Sequence, residues 1–364
     1  MIIWIMGCDM FCCTNCFVDT EIKSVIDSNK TIGNCDFCGN REASVYEIGK
    51  FGIIEDYFDG LIDIYTPESL LPADFPKEKV GLIKDILCKK WNIFTLKPDK
   101  IYDLIKAMCS EKYNNRPEIF DKPVGVRQFR DTEYLEANSI LKNNSWDDFV
   151  EEIKTGNRFH SNCISIDKLF TFLGYAAKPH KAGEIFYRAR ICPDVKGFKP
   201  SEMGAPPSEK ASGGRVNPSG ISTLYLSDSK ETTVREIRAG QYDFVTIASF
   251  KLLRDINVID LAHIDKISPF TNINYTQYAI NIEHLKRIAE EISKPIRNHN
   301  TLDYIPTQYI SDYIKSKGYD GIEYVSVMSD AGKNLAIFNP QLAKCTRRRV
   351  YDVESISYKI RLSH

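Results

Sequence analysis

Apolar positions recur at helical spacing through the middle of the chain and at strand spacing toward its end. Ile101, Leu104, Ile105 and Met108 follow the i, i+3, i+4, i+7 pattern behind Pro98, which predicts a helix with proline in its first turn. Ser145-Trp146-Asp147-Asp148 reads as a capping box ahead of Phe149, Val150 and Ile153, with Gly156 as the stop. Helical patterning of this kind prevails from about residue 78 to 175, and its stripes read as core rather than cofactor contacts. After Lys178-Pro179-His180 the texture changes. Residues 185–190 predict a strand with Arg188 and Arg190 on one face, because side chains alternate. Further strands are expected over 244–250, 256–261, 318–326 and 334–338, with helices over 281–292 and 307–317. Residues 45–75 show no clean period, and 193–212, rich in Pro, Gly, Ser and Lys, predict a mobile loop over a site.

The stretch from Gly213 to Gly240 organises the second half. An Arg215-x-Asn217-Pro-x-Gly turn leads into the apolar run Leu224-Tyr225-Leu226. Asp228 or Ser229 then offers a helix N-cap, and Gly240 offers the stop. Glu236 falls about two turns into that helix. Arg215, Asn217, Tyr225 and Glu236 can therefore converge at one end of a sheet, as an arginine for phosphate, a tyrosine to stack and one carboxylate. The plain alternative is a surface loop with an exposed glutamate.

Composition narrows the classes. With 364 residues, 43% hydrophobic and 27% charged, the chain is long enough for two or three domains with a real core. We expect borders near 75 and 177: a zinc-knuckle region over 1–75, a helical domain over 76–177 and a catalytic domain over 178–364. A net charge of −1 makes no global case for nucleic acid or membrane as partner. The charge is uneven: residues 1–75 hold 4 Lys/Arg against 13 Asp/Glu, and 177–364 hold 27 against 21, so the back suits an anionic ligand. The opening MIIWIM is too short for a signal peptide or a membrane span, and a cytoplasmic protein is expected. A ribonuclease reading of the helical region would want Arg-x4–6-His, with four to six residues between the two, on one helix face, and no pair has that spacing.

Six of the eleven cysteines precede residue 40. Cys13-x2-Cys16 and Cys35-x2-Cys38 have the spacing of one tetrahedral zinc, structural and closed, in a reducing compartment. Cys12 competes with Cys13 for one position, and Cys8 also lies nearby. Arg347-Arg348-Arg349 reads as a solvated strand end, with a phosphate contact as the lesser reading.

In the second half, Tyr187-Arg188, Gly214-Arg215-x-Asn217-x-x-Gly220, Leu224-Tyr225-Leu226, Glu236, Tyr324-x-Ser326 and Asn334-Leu335-Ala336 occur in the order seen in RES-domain proteins. The resemblance covers roughly 180–355, and the first 175 residues resemble the zinc-containing helical region that precedes some RES domains. It implies an α+β chain whose C-terminal mixed sheet is ADP-ribosyltransferase-like. It implies Arg188, Glu236 and Ser326 as the arginine, glutamate and serine that name the family. Arg190, Arg215, Asn217 and Tyr225 are then expected substrate contacts. The implied activity is cleavage of the nicotinamide–ribose bond of NAD, by hydrolysis or phosphorolysis, in a bacterial toxin or defence effector. An antitoxin or regulatory protein, or a second copy of the chain, would be the protein partner. ADP-ribosyl transfer to a protein target, or nucleotide binding without turnover, are the alternatives. Val216 stands where many relatives carry an aromatic residue, and Arg235 where a small or apolar one is commoner.

Overall fold

The computed structural model describes residues 10–294, 301–329 and 332–357. Contacts group the chain into two compact units, each discontinuous in sequence. The first comprises the chain up to Asn143 with Lys266–Glu283; the second comprises Asn144–Asp265 with His284–His364. The borders expected at 75 and 177 both fall inside units.

In the first unit, β1 (Phe11–Cys13) pairs antiparallel with β3 (Ala43–Glu47), which also pairs with the short β2 (Ile32–Gly33). Phe17, Phe58 and Phe94 form an aromatic core with ring centroids 5.3 to 6.4 Å apart, each buried ring contributing about 1.5–3 kcal/mol. Two short strands, β4 (Tyr65–Pro67) and β5 (Val124–Val126), make a separate ribbon. The helix behind Pro98 runs Pro98–Met108 and buries the four apolar residues that predict it. The stretch 45–75 contains the end of β3 and the helix Ile53–Ile62.

The second unit is built on a mixed sheet of eight strands: β6 (Ala177–His180), β7 (Ile185–Cys192), β8 (Leu224–Ser227), β9 (Phe244–Leu252), β10 (Ile256–Asp260), β11 (Gly321–Val325), β12 (Lys333–Ile337) and β13 (Ala343–Asp352). Their order across the sheet is β13-β9-β7-β8-β12-β11-β10-β6. Only β10 and β11 pair in parallel. One face buries Phe186, Leu224, Leu226, Phe250, Leu335 and Ile337. On the other, Ala189, Val245 and Ile247 pack against Val234 and Ile237, at and just after the helix Lys230–Glu236. The helices Trp146–Thr155 and Ile166–Tyr175 belong to this unit, and the capping box of Ser145 and Asp148 forms as expected. Phe149 meets Tyr309 edge to face at 5.4 Å, and Lys154 bonds Asp303 at 2.9 Å, which ties the first of them to the helix Ile305–Ser316. The loop 193–212 is pinned rather than open: Met203 is fully buried, and Phe198 N–H donates to Thr246 Oγ1 at 3.0 Å.

The junction of β7 and β8 shapes everything that follows. The two strands pair at a single position, Tyr187 with Ser227, while β7 pairs with β9 over its full length. Beyond that position the sheet parts, with Arg188 on one lip and Tyr225 on the other.

Away from this opening, Glu323 of β11 is almost completely buried and collects cations. Lys178 Nζ lies 2.6 Å and Lys333 Nζ 3.1 Å from its Oε1, and His180 Nε2 lies 3.0 Å from its Oε2. His180 Nδ1 is 2.8 Å from Glu184. Both ring nitrogens face carboxylates, which only the doubly protonated imidazolium can satisfy as a donor. The Glu323 hydrogen bond accordingly raises the His180 pKa above its ordinary value. Burial opposes ionisation of Glu323, but His180, Lys178 and Lys333 outweigh it and pull its pKa down. A raised histidine pKa stabilises fully below the unfolded value and loses that contribution as pH rises through the folded one. Because Glu323 stays ionised above neutrality, the second unit should lose on the order of 2–4 °C in Tm between pH 6 and 9. His180→Gln should flatten that slope in a calorimetric pH series; an unchanged slope would place the titration elsewhere.

Candidate functional site

The site grows from the turn after β8. Ser229 caps the helix Lys230–Glu236 by accepting from Thr232 N–H, a bond of about 1 kcal/mol. Asp228, the other candidate cap, instead accepts from Lys333 N–H at 3.0 Å and ties the turn to β12. The helix ends at Glu236 and not at Gly240, because Arg238 adopts φ +52°. Glu236 therefore sits in the last turn.

Two neutral donors fix its carboxylate. Ser326, just beyond β11, donates from Oγ to Glu236 Oε1 at 2.5 Å, and Asn334 of β12 donates from Nδ2 to the same oxygen at 2.7 Å. Asn334 is oriented in turn by Ser227, whose hydroxyl donates to its Oδ1 at 2.8 Å. Ser326, Asn334 and Ser227 are all buried. Glu236 Oε2 takes no hydrogen bond among the described residues. Ser326 Oγ also accepts from Met328 N–H at 3.2 Å, so the serine is engaged as a holder of the carboxylate.

The three residues expected as Arg, Glu and Ser are differently placed. Ser326 and Glu236 touch, whereas Arg188 stands on β7 at the parted sheet. Its Nη1 is buried and has no hydrogen-bond partner among the described residues. Burial, then the neighbouring Arg190, lowers its pKa to about 10, which leaves the guanidinium charged at neutral pH. Two tyrosines, Tyr225 and Tyr324, feel these charges. Burial pushes the Tyr225 hydroxyl well up, with Arg215 and Arg188 opposing; burial does the same to Tyr324, with Arg215 opposing and Glu236 adding to the rise.

The other arginines and Asn217 are occupied. Arg190 is exposed, donates to Glu202 O at 2.6 Å and lies over the Phe198 ring. Arg215 donates to Ile292 O and Lys294 O, at 2.6 and 2.8 Å, at the end of the helix Tyr275–Ser293. Asn217 is buried; its amide donates to Ser212 O, Pro218 O and Ile221 O, and its Oδ1 accepts from the Tyr225 hydroxyl at 2.6 Å. That hydroxyl also accepts from Val216 N–H at 3.1 Å. Gly214 passes so close that a Cβ there would lie 2.8 Å from the Tyr225 hydroxyl. The loop Gly213–Gly220 thus fixes the hydroxyl end of Tyr225, a residue of β8. Asn334 and Tyr324 are motif residues to which the sequence assigns no site role, and Ser227 is not among the expected residues. A polar asparagine in the middle of an apolar strand is the signal that marks the first of them.

In the first unit the four cysteines of the two pairs do gather. Their sulfurs lie within 4.8 Å of one another, with Cys13 to Cys38 and Cys16 to Cys35 both at 3.4 Å. A tetrahedral zinc with thiolates at about 2.3 Å requires sulfurs roughly 3.8 Å apart, so the donor set fits. Cys13 rather than Cys12 takes part, since adjacent strand residues face opposite ways. Cys8 lies outside the described residues. Gly39, at φ +76°, closes the second turn, and Asp36 clamps the two pairs by accepting from Phe11 N–H at 2.7 Å.

Among the described residues no helix is long and apolar enough to cross a membrane. No curated protein matches the chain. Among solved structures, the crystal structure of the M. tuberculosis MbcT–MbcA toxin–antitoxin complex is similar at 14% identity and a TM-score of 0.31, over 52% of this chain and 93% of that chain. Residues 185–360, which carry the parted sheet, Arg188, Glu236, Ser326 and Asn334, match the family model of the RES domain.

Proposed function

We propose that the second unit consumes NAD by breaking its nicotinamide–ribose bond on an ADP-ribosyltransferase-like sheet. The observation that carries this reading is the fixed carboxylate: Ser326 and Asn334 hold Glu236 Oε1 and leave Oε2 free to face a substrate. When the C1′–N bond breaks, its electron pair leaves with nicotinamide and positive charge develops at C1′ and the ring oxygen. A preorganised anion is worth most there, because it needs no reorganisation as the charge forms. The two donors hold the carboxylate without adding a cation that would cancel it. Arg188, charged and with Nη1 unpartnered, suits the pyrophosphate. Asn217 and the Val216 N–H act at one remove, by holding Tyr225 for the sugar or the nicotinamide ring, and Arg215 anchors their loop through Ile292 O and Lys294 O. The incoming nucleophile at C1′ is water or phosphate.

The four cysteines hold one structural zinc in this reading. Four thiolates fill its coordination and leave no position for water or substrate, so it supplies no chemistry to the cleavage.

Incubating the purified protein with NAD, with and without phosphate, and following nicotinamide release tests the reading. Release that needs no phosphate indicates hydrolysis, and phosphate-dependent release indicates phosphorolysis. No release in either, or label passing only to protein, would remove it. Arg188→Lys keeps the charge and loses the fork, so kcat/KM should fall about 10-fold, and Arg188→Ala should cost roughly 100-fold. Unimpaired kinetics in both would shift the pyrophosphate contact to another arginine.

A further inference from the structure

A second basic concavity lies on the outer part of the sheet. It measures about 230 Å³ and is lined by Tyr187 of β7, Ser249 of β9, Arg347, Arg349 and Tyr351 of β13, and Lys230 at the start of the helix Lys230–Glu236. Strand register explains the convergence. Arg347 pairs with Ser249, Arg349 with Ile247 and Tyr351 with Val245, so the three β13 side chains share one face. Tyr187 also pairs with Ser249 and closes the opposite side. An irregularity between Cys345 and Arg347 sets this phase. Thr346, the extra residue at that irregularity, and Arg348, which donates to Lys196 O at 3.0 Å, also border the concavity.

No carboxylate lines this concavity. The Lys230 Nζ hydrogen bond goes, among the described residues, to the Tyr351 hydroxyl, at 3.3 Å. Among the described residues neither Arg347 nor Arg349 has an ion-pair partner, and Arg349 bonds the Tyr351 side chain within the concavity, whereas Arg190, Arg215, Arg235, Arg254 and Arg348 each have an acceptor elsewhere. Three cations around one hollow repel one another, and an anion seated there would relieve all three at once. The two tyrosines add flat apolar walls. The volume lies below the roughly 300–1,000 Å³ of ordinary ligand pockets, which favours a phosphate group carrying at most one ring system over a dinucleotide.

We propose that this concavity binds a phosphate monoester of the nucleoside monophosphate class, with the phosphate on Arg347, Arg349 and Lys230 and the base against Tyr187 or Tyr351. The site is separate from Glu236 and does not depend on the cleavage proposed above.

The test is calorimetric titration of the full-length protein with AMP, adenosine and inorganic phosphate at low salt. AMP should bind, phosphate more weakly, and adenosine not at all. The Arg347→Ala/Arg349→Ala protein should bind AMP at least 10-fold more weakly, with circular dichroism unchanged. Lys230→Gln provides a second reading, about 3-fold weaker, should the double variant fail to fold. AMP binding that survives these variants and is lost in Arg188→Ala would assign it to the parted sheet and overturn the proposal. So would no binding at millimolar AMP, or displacement of AMP by a short single-stranded oligonucleotide at concentrations below the AMP Kd, which would indicate a nucleic-acid backbone as the ligand.

Discussion

Glu236→Gln should lower nicotinamide release from NAD by about 10²–10³-fold or more while leaving the thermal transition almost unmoved. Glutamine has the same shape, and its Oε1 can still accept from Ser326 and Asn334, so the local packing survives. What disappears is the negative charge beside a developing cation. The loss should fall on kcat, since the charge matters more in the transition state than in the ground state. Asn334→Ala is a useful companion. It removes one of the two donors and should give a smaller loss, on the order of 10-fold, because the carboxylate remains but is no longer held at one angle. Wild-type turnover by a folded Glu236→Gln protein would end the assignment of this residue. A loss in Asn334→Ala as deep as that in Glu236→Gln would instead mean that the asparagine touches the substrate itself.

The protein purified without chelators should contain about one zinc per chain, and Cys35→Ser/Cys38→Ser should release it. Apparent binding free energies for structural zinc run to about 10–16 kcal/mol, comparable with the roughly 5–15 kcal/mol of a whole domain. Losing the ion should therefore unfold the turns around residues 13–40, seen as new proteolytic cleavage before Asn143. β1 and β3 should loosen with it, because Cys13 is part of their pairing. Nicotinamide release per folded molecule should persist, since every residue of the proposed site belongs to the other unit. Elemental analysis without zinc would remove the metal site. Chemistry that vanished with the metal in an otherwise folded chain would overturn the division of labour.

Local features were legible in the chain because their causes are local. The helix at Pro98, the capping box at Ser145, the strand at Leu224 and the positions of the cysteine pairs all follow from residues within a few positions of one another. Glu236 and Ser326 could be picked out along with Asn334 as parts of a motif, but their contact spans 90 residues, and no spacing rule reaches that far. The end of the helix at Glu236 was also misplaced, because Gly240 is a good stop by type while Arg238 in fact makes the turn. Which arginine is left unpartnered was decided only in three dimensions. Arg190, Arg215 and Arg188 look alike in sequence, yet the first two find carbonyl acceptors from distant loops and helix ends. Unit membership was hidden for the same reason. Phe149 reads as part of a helical domain until it is seen against Tyr309, whose helix closes over the sheet from the far end of the chain. Hydrophobic period tells a segment that it must bury a face, and only tertiary packing decides against what.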